Sequence, residues 1–543
     1  MPNVRRQTLA DNASITAADL KPMITDGSEL ALIDVREQGV FGQGHLLYAV
    51  CVPLSQMELR IRELLPRLGV RIVVMDGGDG ATTAVTAAQR LAGIGYRDVA
   101  VLADGLAGWL AAGYEVFSGV NVPSKAFGEF VEHTYDTPHL DAATLKARID
   151  AGERLVILDS RPYGEYHRMS IPGGLDAPGA ELVYRVHDVA PDPDTTVVVN
   201  CAGRTRSIIG AQSLINAGIP NPVLALENGT MGWHLAGLKV ARGATDVAPP
   251  PAPDGLARAK ECAARVAVRF GVTTIDRAGL AAWLADDTRT LFVLDVRTPE
   301  EYAAGHLPGS RHAPGGQLVQ GTDEYVGVRN ARLVLVDDTG VRATMTASWL
   351  IQMGWPDVRV LAGGIGADGT ETGPRRTERP SAPAVETVMP ADLAAALDGD
   401  RPPLVIDLDT SLAYRDAHVP GAWWGVRSRF ADDLRKLPAG DDIVVTSGDG
   451  AIAPYAAADV AAARPDARIR VLAGGTAAWR DAGLPLEPGT ERLLGPHDDV
   501  QYKPYDNASG VEAAMRAYLS WETALVDQIA RDGDARFRAW PAG

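Results

Sequence analysis

The sequence predicts an α/β protein: four tandem copies of one small domain, each with a central parallel sheet flanked by helices, and then a C-terminal helical tail. Three observations carry this reading. A short apolar strand ending in aspartate occurs four times, as Leu32-Ile33-Asp34-Val35-Arg36, Ile157-Leu158-Asp159-Ser160-Arg161, Val293-Leu294-Asp295-Val296-Arg297 and Val405-Ile406-Asp407-Leu408-Asp409. Apolar strands alternate with Ala-rich helical stretches such as 82–91 and 343–353, the βαβ pattern that gives parallel sheets. At 543 residues the chain exceeds one hydrophobic core, and four units give about 136 residues each, an ordinary domain size.

Each copy follows the same order. After the opening strand comes a turn, Gly305-His306-Leu307-Pro308-Gly309 in the third copy. Its counterparts are Gly44-His45, Ile171-Pro172-Gly173 and His418-Val419-Pro420-Gly421. Each copy closes with a strand, a turn and usually a tryptophan: Leu102-Ala103-Asp104-Gly105 with Trp109, Leu226-Glu227-Asn228-Gly229 with Trp233, Leu361-Ala362-Gly363-Gly364 without one, and Leu472-Ala473-Gly474-Gly475 with Trp479. Periodicity of this kind marks a repeated supersecondary unit. The expected domains span 10–119, 130–247, 270–372 and 384–488, with the tail at 489–543. Between them lie a connecting segment at 120–129, a stiff Pro249-Pro250-Pro251-Ala252-Pro253 spacer leading to a helix near 256–270, and a polar stretch at 370–383. In the tail, a helix over 511–531 places Met515, Leu519, Leu525 and Ile529 near one face, which is expected to pack on its own domain.

The chemistry concentrates at Cys201. The apolar run Val197-Val198-Val199-Asn200 ends at this cysteine, and Ala202-Gly203-Arg204-Thr205-Arg206-Ser207 follows before a helix-forming stretch. A thiol at a strand end, facing a helix N-terminus, meets backbone N–H groups and the positive end of the helix dipole, and here two guanidinium groups stand nearby. That setting stabilises a thiolate and makes it a nucleophile toward an anionic electrophile.

The strand-Asp-x-Arg opening, the Gly-His-x-Pro-Gly turn, the six-residue loop starting at cysteine and the Leu-x-Gly-Gly ending with tryptophan resemble the rhodanese (sulfurtransferase) family. The resemblance covers nearly the whole chain as four tandem rhodanese-like domains and implies a small doubly wound fold for each. It implies that Cys201 attacks the outer sulfur of a donor such as thiosulfate, becomes a persulfide, and passes the sulfur to cyanide or a thiol. The N–H groups of Ala202 to Ser207 would then cradle the persulfide, with Arg204 and Arg206 holding the donor's anionic group. Six residues from Cys201 to Arg206 form the expected loop, one fewer than in the related phosphatases, which favours sulfur over a tetrahedral oxyanion. The basic loop matches the thiosulfate type in charge; 3-mercaptopyruvate and glutathione persulfide are the alternative donors, and a sulfur-carrier or redox scaffold with low turnover is the alternative role.

In the other copies the position of Cys201 falls to Asp76, Asp338 and Ser447, none of which can carry a persulfide. Domains one, three and four therefore read as catalytically silent, available to cover the active-site mouth, shape a pocket or hold a homodimer together. The second copy has Ser170 where the others have His45, His306 and His418, read as structural hydrogen-bonding residues. Arg161 with Asp159 reads as a pair anchoring the loop after its strand, and Arg161, Arg168, Tyr184 and Lys125 are candidate pocket-lining residues, with Ser124 beside Lys125 in the connecting segment. Cys51 reads as a core residue and Cys262 falls on the interdomain helix.

Composition bounds the rest. A net charge of −17 argues against nucleic acid, and no apolar run is long enough to span a membrane. Three cysteines are too few for a disulfide framework, so a reducing cytoplasm is expected. No His/Cys cluster has metal-ligand spacing, and no cofactor motif is present, so neither metal nor cofactor is expected. The expected partners are a small anionic sulfur donor and a thiol or cyanide acceptor.

Overall fold

Four five-stranded sheets, one per repeat, form the frame of the computed structural model, which describes residues 13–78, 80–366, 370–374 and 377–541. Residues Ala10 to Asn12 of the expected first domain, 367–369 of the third, and Ala542 and Gly543 of the tail lie outside the described residues. Within every sheet the strands, counted in chain order, lie 1-5-4-2-3, and all neighbours run parallel. Parallel neighbours require crossover helices, and these supply the layers on either side of each sheet. Strand ends fall where the sequence places them: Asp34, Asp159, Asp295 and Asp407 each terminate a strand. The third domain, which lacks the closing tryptophan, also lacks the short helix that follows Asp104, Asn228 and Gly474 in its siblings, among the described residues.

Register identifies the loop positions. Asp159 lies opposite Asn200, Asp34 opposite Met75, Asp295 opposite Val336 and Asp407 opposite Thr446. The next residue in each case is Cys201, Asp76, Asp337 and Ser447. The sequence expectation of Asp338 in the third copy is therefore one residue late: Asp337 and Asp338 are adjacent, and only the pairing of the strands separates them.

The domains are not beads on a string. One apolar cluster joins Ile33 and Val74 of the first domain, Phe127 and Val131 of the connecting segment, and Leu335 and Trp349 of the third domain. The connecting segment is a helix, Val122–Tyr135, which runs through the expected boundary at residue 130. The spacer leads into a second long helix, Pro253–Phe270, opened by proline at its first turn, where a missing N–H costs nothing. Cys262 is buried on that helix against the second domain.

The tail departs from expectation. Among the described residues its helix, Val511–Asp532, makes its main contacts with the connecting helix and not with the fourth domain. Leu525 is buried with Leu47, Phe117, Val122 and Ala126, so the helix docks on the first domain and the connecting helix. Its middle turns lie over the Cys201 loop.

Candidate active site

Cys201 follows the fully buried strand Thr196–Asn200, in the middle of the second sheet. The helix Thr205–Ala217 begins two residues earlier than the sequence suggests, so the true loop is 201–204 and Arg206 already belongs to the first helical turn. The loop is pinned from behind. The N–H of Thr230 donates to the Cys201 carbonyl at 2.8 Å, its hydroxyl to the same oxygen at 3.0 Å, and the N–H of Met231 to Ala202 at 3.0 Å. Gly229 has φ of +53°, and a Cβ there would stand 2.4 Å from the Cys201 carbonyl oxygen, so glycine is required for this approach. Asn200 donates to Asp159 at 2.9 Å, and Asp159 accepts from Arg161 at 2.7 and 2.8 Å. Arg161 also donates to the Met169 carbonyl at 2.6 Å, so this pair holds the turn beneath the loop.

The thiol itself is 2% exposed. Its sulfur lies 3.6 Å from the Ser207 hydroxyl, which in turn donates to the Arg204 carbonyl at 2.8 Å. Cys201 sits at the floor of a cavity of about 660 Å³. All of Ala202, Gly203, Arg204, Thr205 and Arg206 line that cavity, while Ser207 lies behind the sulfur. The walls come from five parts of the chain: Gln38 and Gly42 of the first domain, Lys125 of the connecting helix, the Cys201 loop, Gln317 and Tyr325 of the third domain, and Tyr502, Tyr505, Tyr518 and Trp521 of the tail.

The two loop arginines have different roles. Arg204 turns to the connecting helix, donating to Glu129 at 2.7 and 2.8 Å and also to Glu132, and that pairing holds it charged against the cost of burial. The expectation that Arg204 offers its charge to a donor is thus corrected: its guanidinium is committed to two carboxylates that the loop sequence does not reveal. Arg206 pairs with Glu165 at 2.8 Å and donates to Gln317 at 3.1 Å. Burial opposes its charge, but Glu165 and the Cys201 sulfur outweigh burial and keep it protonated. The same pairing works in reverse on Glu165: burial pushes that carboxyl up, Arg206 overcomes it, and Glu165 is held down at about 2. Arg206 is therefore the loop cation electrostatically tied to the thiol.

The tail closes the site. Glu522 is 0% exposed, accepts from the Thr205 hydroxyl at 2.6 Å and pairs with Lys125 at 3.3 Å. Burial opposes the charge of Lys125, but Glu522 and Tyr518 raise its amine above the ordinary lysine range. Burial also pushes the Tyr518 phenol up to about 12. A Cβ on Gly203 would lie 3.2 Å from the Glu522 carboxylate and 3.3 Å from the Tyr518 ring, so the bare glycine lets the helix rest on the loop.

Of the other candidates, Lys125 lines the cavity, but Arg161, Arg168 and Tyr184 do not. Arg161 is buried under the loop by its pair with Asp159. Arg168 is exposed, over the Tyr505 ring at 4.8 Å and bonded to Asp506 at 3.3 Å. Tyr184 is buried beneath Arg342 at 4.4 Å, at the contact with the third domain. Ser124 is buried and does not line the cavity. The turn histidines are structural: His45, His306 and His418 stack on Phe41, Tyr302 and Tyr414 at 3.8–3.9 Å. Burial pushes the thiols of Cys51 and Cys262 up, and Cys51 is half-buried rather than in the core.

Sequence reasoning missed Glu129, Glu165, Gln317, Tyr518, Trp521 and Glu522. Glu165 had a signal: it recurs as Glu301, six residues after the strand-end aspartate in both copies. The tail residues had none, since more than 300 residues separate Glu522 from Thr205.

The described residues contain no cluster of His, Cys, Asp and Glu able to hold a metal, and no helix long and apolar enough to cross a membrane. The rhodanese-like domain model matches residues 16–112, 141–236, 277–367 and 389–482. A crystal structure of a thiosulfate sulfurtransferase from Pseudomonas aeruginosa superposes with a TM-score of 0.94 at 50% identity, covering 97% of this chain and 100% of that one. The thiosulfate sulfurtransferase GlpE of Pseudomonas paraeruginosa is 36% identical over 75 residues, 13% of this chain and 64% of the relative. An HTH-type transcriptional regulator of Mycobacterium tuberculosis is 35% identical over 102 residues, 19% of this chain and 44% of the relative. The chain thus spans less than two thirds of the length of these curated relatives.

Proposed function

The chain belongs to the rhodanese-like family, and from that premise we propose that it is a sulfurtransferase that moves sulfane sulfur from an anionic donor, thiosulfate first among them, to cyanide or a thiol through a Cys201 persulfide. One observation carries the reading: the Cys201 sulfur lies at the floor of a cavity, before a helix N-terminus, with Arg206 electrostatically coupled to it. In the first step the thiolate attacks the outer sulfur of thiosulfate. The S–S bond of the donor breaks, sulfite leaves with the electron pair, and the sulfur stays on Cys201. In the second step the acceptor attacks that terminal sulfur and restores the thiolate, a two-step exchange. The N–H groups at the start of the helix and the Arg206 guanidinium offset the negative charge in both steps.

The size of the cavity supports a second reading of one half-reaction. About 660 Å³ lined by Tyr325, Tyr502, Tyr505, Tyr518 and Trp521 exceeds what thiosulfate or cyanide fills. An organic thiol acceptor, or an organic donor such as glutathione persulfide or 3-mercaptopyruvate, fits that chamber better. Three free cysteines, with no disulfide among them, support a reducing compartment such as the cytoplasm. Steady-state kinetics with thiosulfate, 3-mercaptopyruvate and glutathione persulfide, each against cyanide and against a thiol, tests the proposal. Turnover with thiosulfate at a rate ordinary for enzymes, about 1 s⁻¹ or more, supports it. Loading without turnover on every pair would favour a carrier role.

A further inference from the structure

The fourth domain inverts the charge of the family's strand-end pair. Asp34, Asp159 and Asp295 pair with Arg36, Arg161 and Arg297 at 2.5–2.8 Å. In the fourth copy the pattern reads Asp407-Leu408-Asp409, so a second carboxylate stands where the guanidinium belongs. Among the described residues Asp407 is buried without a cation, and burial pushes its carboxyl up to about 7. A Cβ on Gly448 would lie 2.6 Å from Asp409 Oδ2, so Asp409 leans onto the loop that starts at Ser447.

Beside this loop lies a second cavity of about 370 Å³, between the fourth domain, the first domain and the tail. That volume falls within the roughly 300–1,000 Å³ of small-molecule sites. Four carboxylates from three parts of the chain line it: Glu37, Asp409, Asp449 and Asp499. Two arginines also line it, but both face carboxylates outside it. Arg427 bonds Glu58 at 2.7 and 3.1 Å and Asp459 at 2.5 Å, and Arg60 bonds Glu324 at 2.6 Å. Arg429, paired with Asp498 at 2.6 Å, and the exposed Arg480 offset the acidic field only from its edge. After burial, the neighbouring acids raise one another: Asp499 acts on Glu37, and Asp449 and Asp499 act on Asp409.

An independent observation points to a ligand. Ser447, in the position of Cys201, is 3% exposed, lines this cavity, and its hydroxyl has no hydrogen-bond partner among the described residues. Oδ1 of Asp499, on the same cavity, is also buried and unmatched among the described residues. Buried polar atoms are almost always paired, so a hydroxyl and a carboxylate oxygen left over on one acidic cavity call for a ligand that brings donors. Among the described residues no three such acids are close enough to share a metal ion. The charges are spread, and Leu59, Leu408, Val426 and Ile452 supply apolar wall between them.

We infer that this cavity binds a linear organic diamine, one ammonium group held by Asp409, Ser447 and Asp499, whose Oδ2 accepts from the Ser411 N–H at 2.8 Å, and the other by Glu37 of the first domain, whose oxygens also accept from the Ser55 and Ser428 hydroxyls at 2.9 and 2.8 Å, with the methylene chain on the apolar wall. The loop position that holds a nucleophile in the second domain thereby serves as a cation-binding position in the fourth. Isothermal titration calorimetry of the full chain with 1,4-diaminobutane at low salt tests it. One diamine per chain is expected, with no binding of 1,4-butanediol. Asp409→Asn and Asp499→Asn should each weaken binding about tenfold or more, and Asp466→Asn, an exposed acid elsewhere on the domain, should leave it unchanged. Asp409→Arg, which restores the sibling pair with Asp407, should abolish binding and raise the Tm. Asp449→Asn gives the same readout on an exposed residue should Asp409→Asn not fold. Absence of binding to wild type, equal affinity in Asp409→Asn and Asp499→Asn, or an equal loss in Asp466→Asn would overturn the proposal. Magnesium binding at the same carboxylates with the affinity of the diamine would overturn it too.

Discussion

The second and third domains meet face to face and offer the same loop with opposite contents. Arg206 of the second reaches Gln317 of the third, and Arg342 of the third reaches Glu181 of the second at 2.9 Å. Gly179 and Ala180 pack against Gly315 and Gly316 across the same contact. Both loop arginines also pair with an equivalent acid, Glu165 or Glu301. The difference lies at the strand end. In the second domain the strand-end residue is Cys201, which brings no carboxylate to the N–H groups of its loop. In the third, Asp337 takes them itself: its carboxylate accepts from the N–H groups of Gly340 at 2.6 Å, Arg342 at 2.9 Å and Ala343 at 3.3 Å. Asp76 does the same in the first domain, accepting from Gly78 and Ala84 at 2.9 Å. In the first and third domains the strand-end carboxylate thus fills its own loop. Arg342 is also 0% exposed and held by Glu181, Glu301 and Asp338, so its charge is spent.

The largest break in this comparison is removal of the nucleophile. Cys201→Ser should lower sulfur transfer by more than about a thousandfold with the near-ultraviolet circular dichroism unchanged, because serine fits the site and is not ionised at neutral pH. Cys51→Ser and Cys262→Ser should retain most of the rate.

Next come the two arginines, which the account separates. Arg206→Ala should cut kcat/KM for thiosulfate about a hundredfold, the scale of losing one preorganised charge contact. Arg204→Ala should act chiefly on folding. It strands Glu129, a buried carboxylate, and should cost about 3–5 kcal/mol in denaturant titrations. Equal kinetic losses at constant stability in both variants would erase the distinction.

A smaller effect sharpens the role of the tail. Trp521→Ala should speed alkylation of Cys201 by iodoacetamide about tenfold and lower the Tm, since the ring roofs the cavity and packs on Gly119, Tyr518 and the apolar cluster that docks the tail. An unchanged alkylation rate would show that the tail does not gate the thiol.

The smallest effect is one of pH. The folded Glu165 carboxyl lies near 2, below its ordinary value of 4.5. A depressed acid contributes stability that is complete above its unfolded value and lost as pH falls through its folded one. Stability curves should therefore decline between about 4.5 and 2, and Glu165→Gln should flatten that part of the decline.

Much of this was legible in the chain. The fourfold repeat, the strand-end aspartates and Cys201 follow from local pattern, because strand, loop and helix are consecutive in sequence. The identity of the third loop residue was not, because Asp337 and Asp338 differ only by the register of Val336 against Asp295. Nor was the fate of Arg204, which is decided by Glu129 and Glu132 on a helix some seventy residues earlier. The tail over Gly203 is a contact between distant segments, and no period in the sequence encodes it.

The measurement that tests the central claim most directly is the count and position of loaded sulfur in wild type and in Asp337→Cys after treatment with thiosulfate. Intact mass followed by peptide mapping reads both. The account predicts one added sulfur per chain in each protein, located on Cys201, and none on the introduced thiol, because Arg342 is already neutralised by Glu181, Glu301 and Asp338. A second sulfur on the introduced thiol, gained at a rate comparable with Cys201, would contradict it and show that the fold alone, whatever the number of carboxylates on the loop arginine, makes the site.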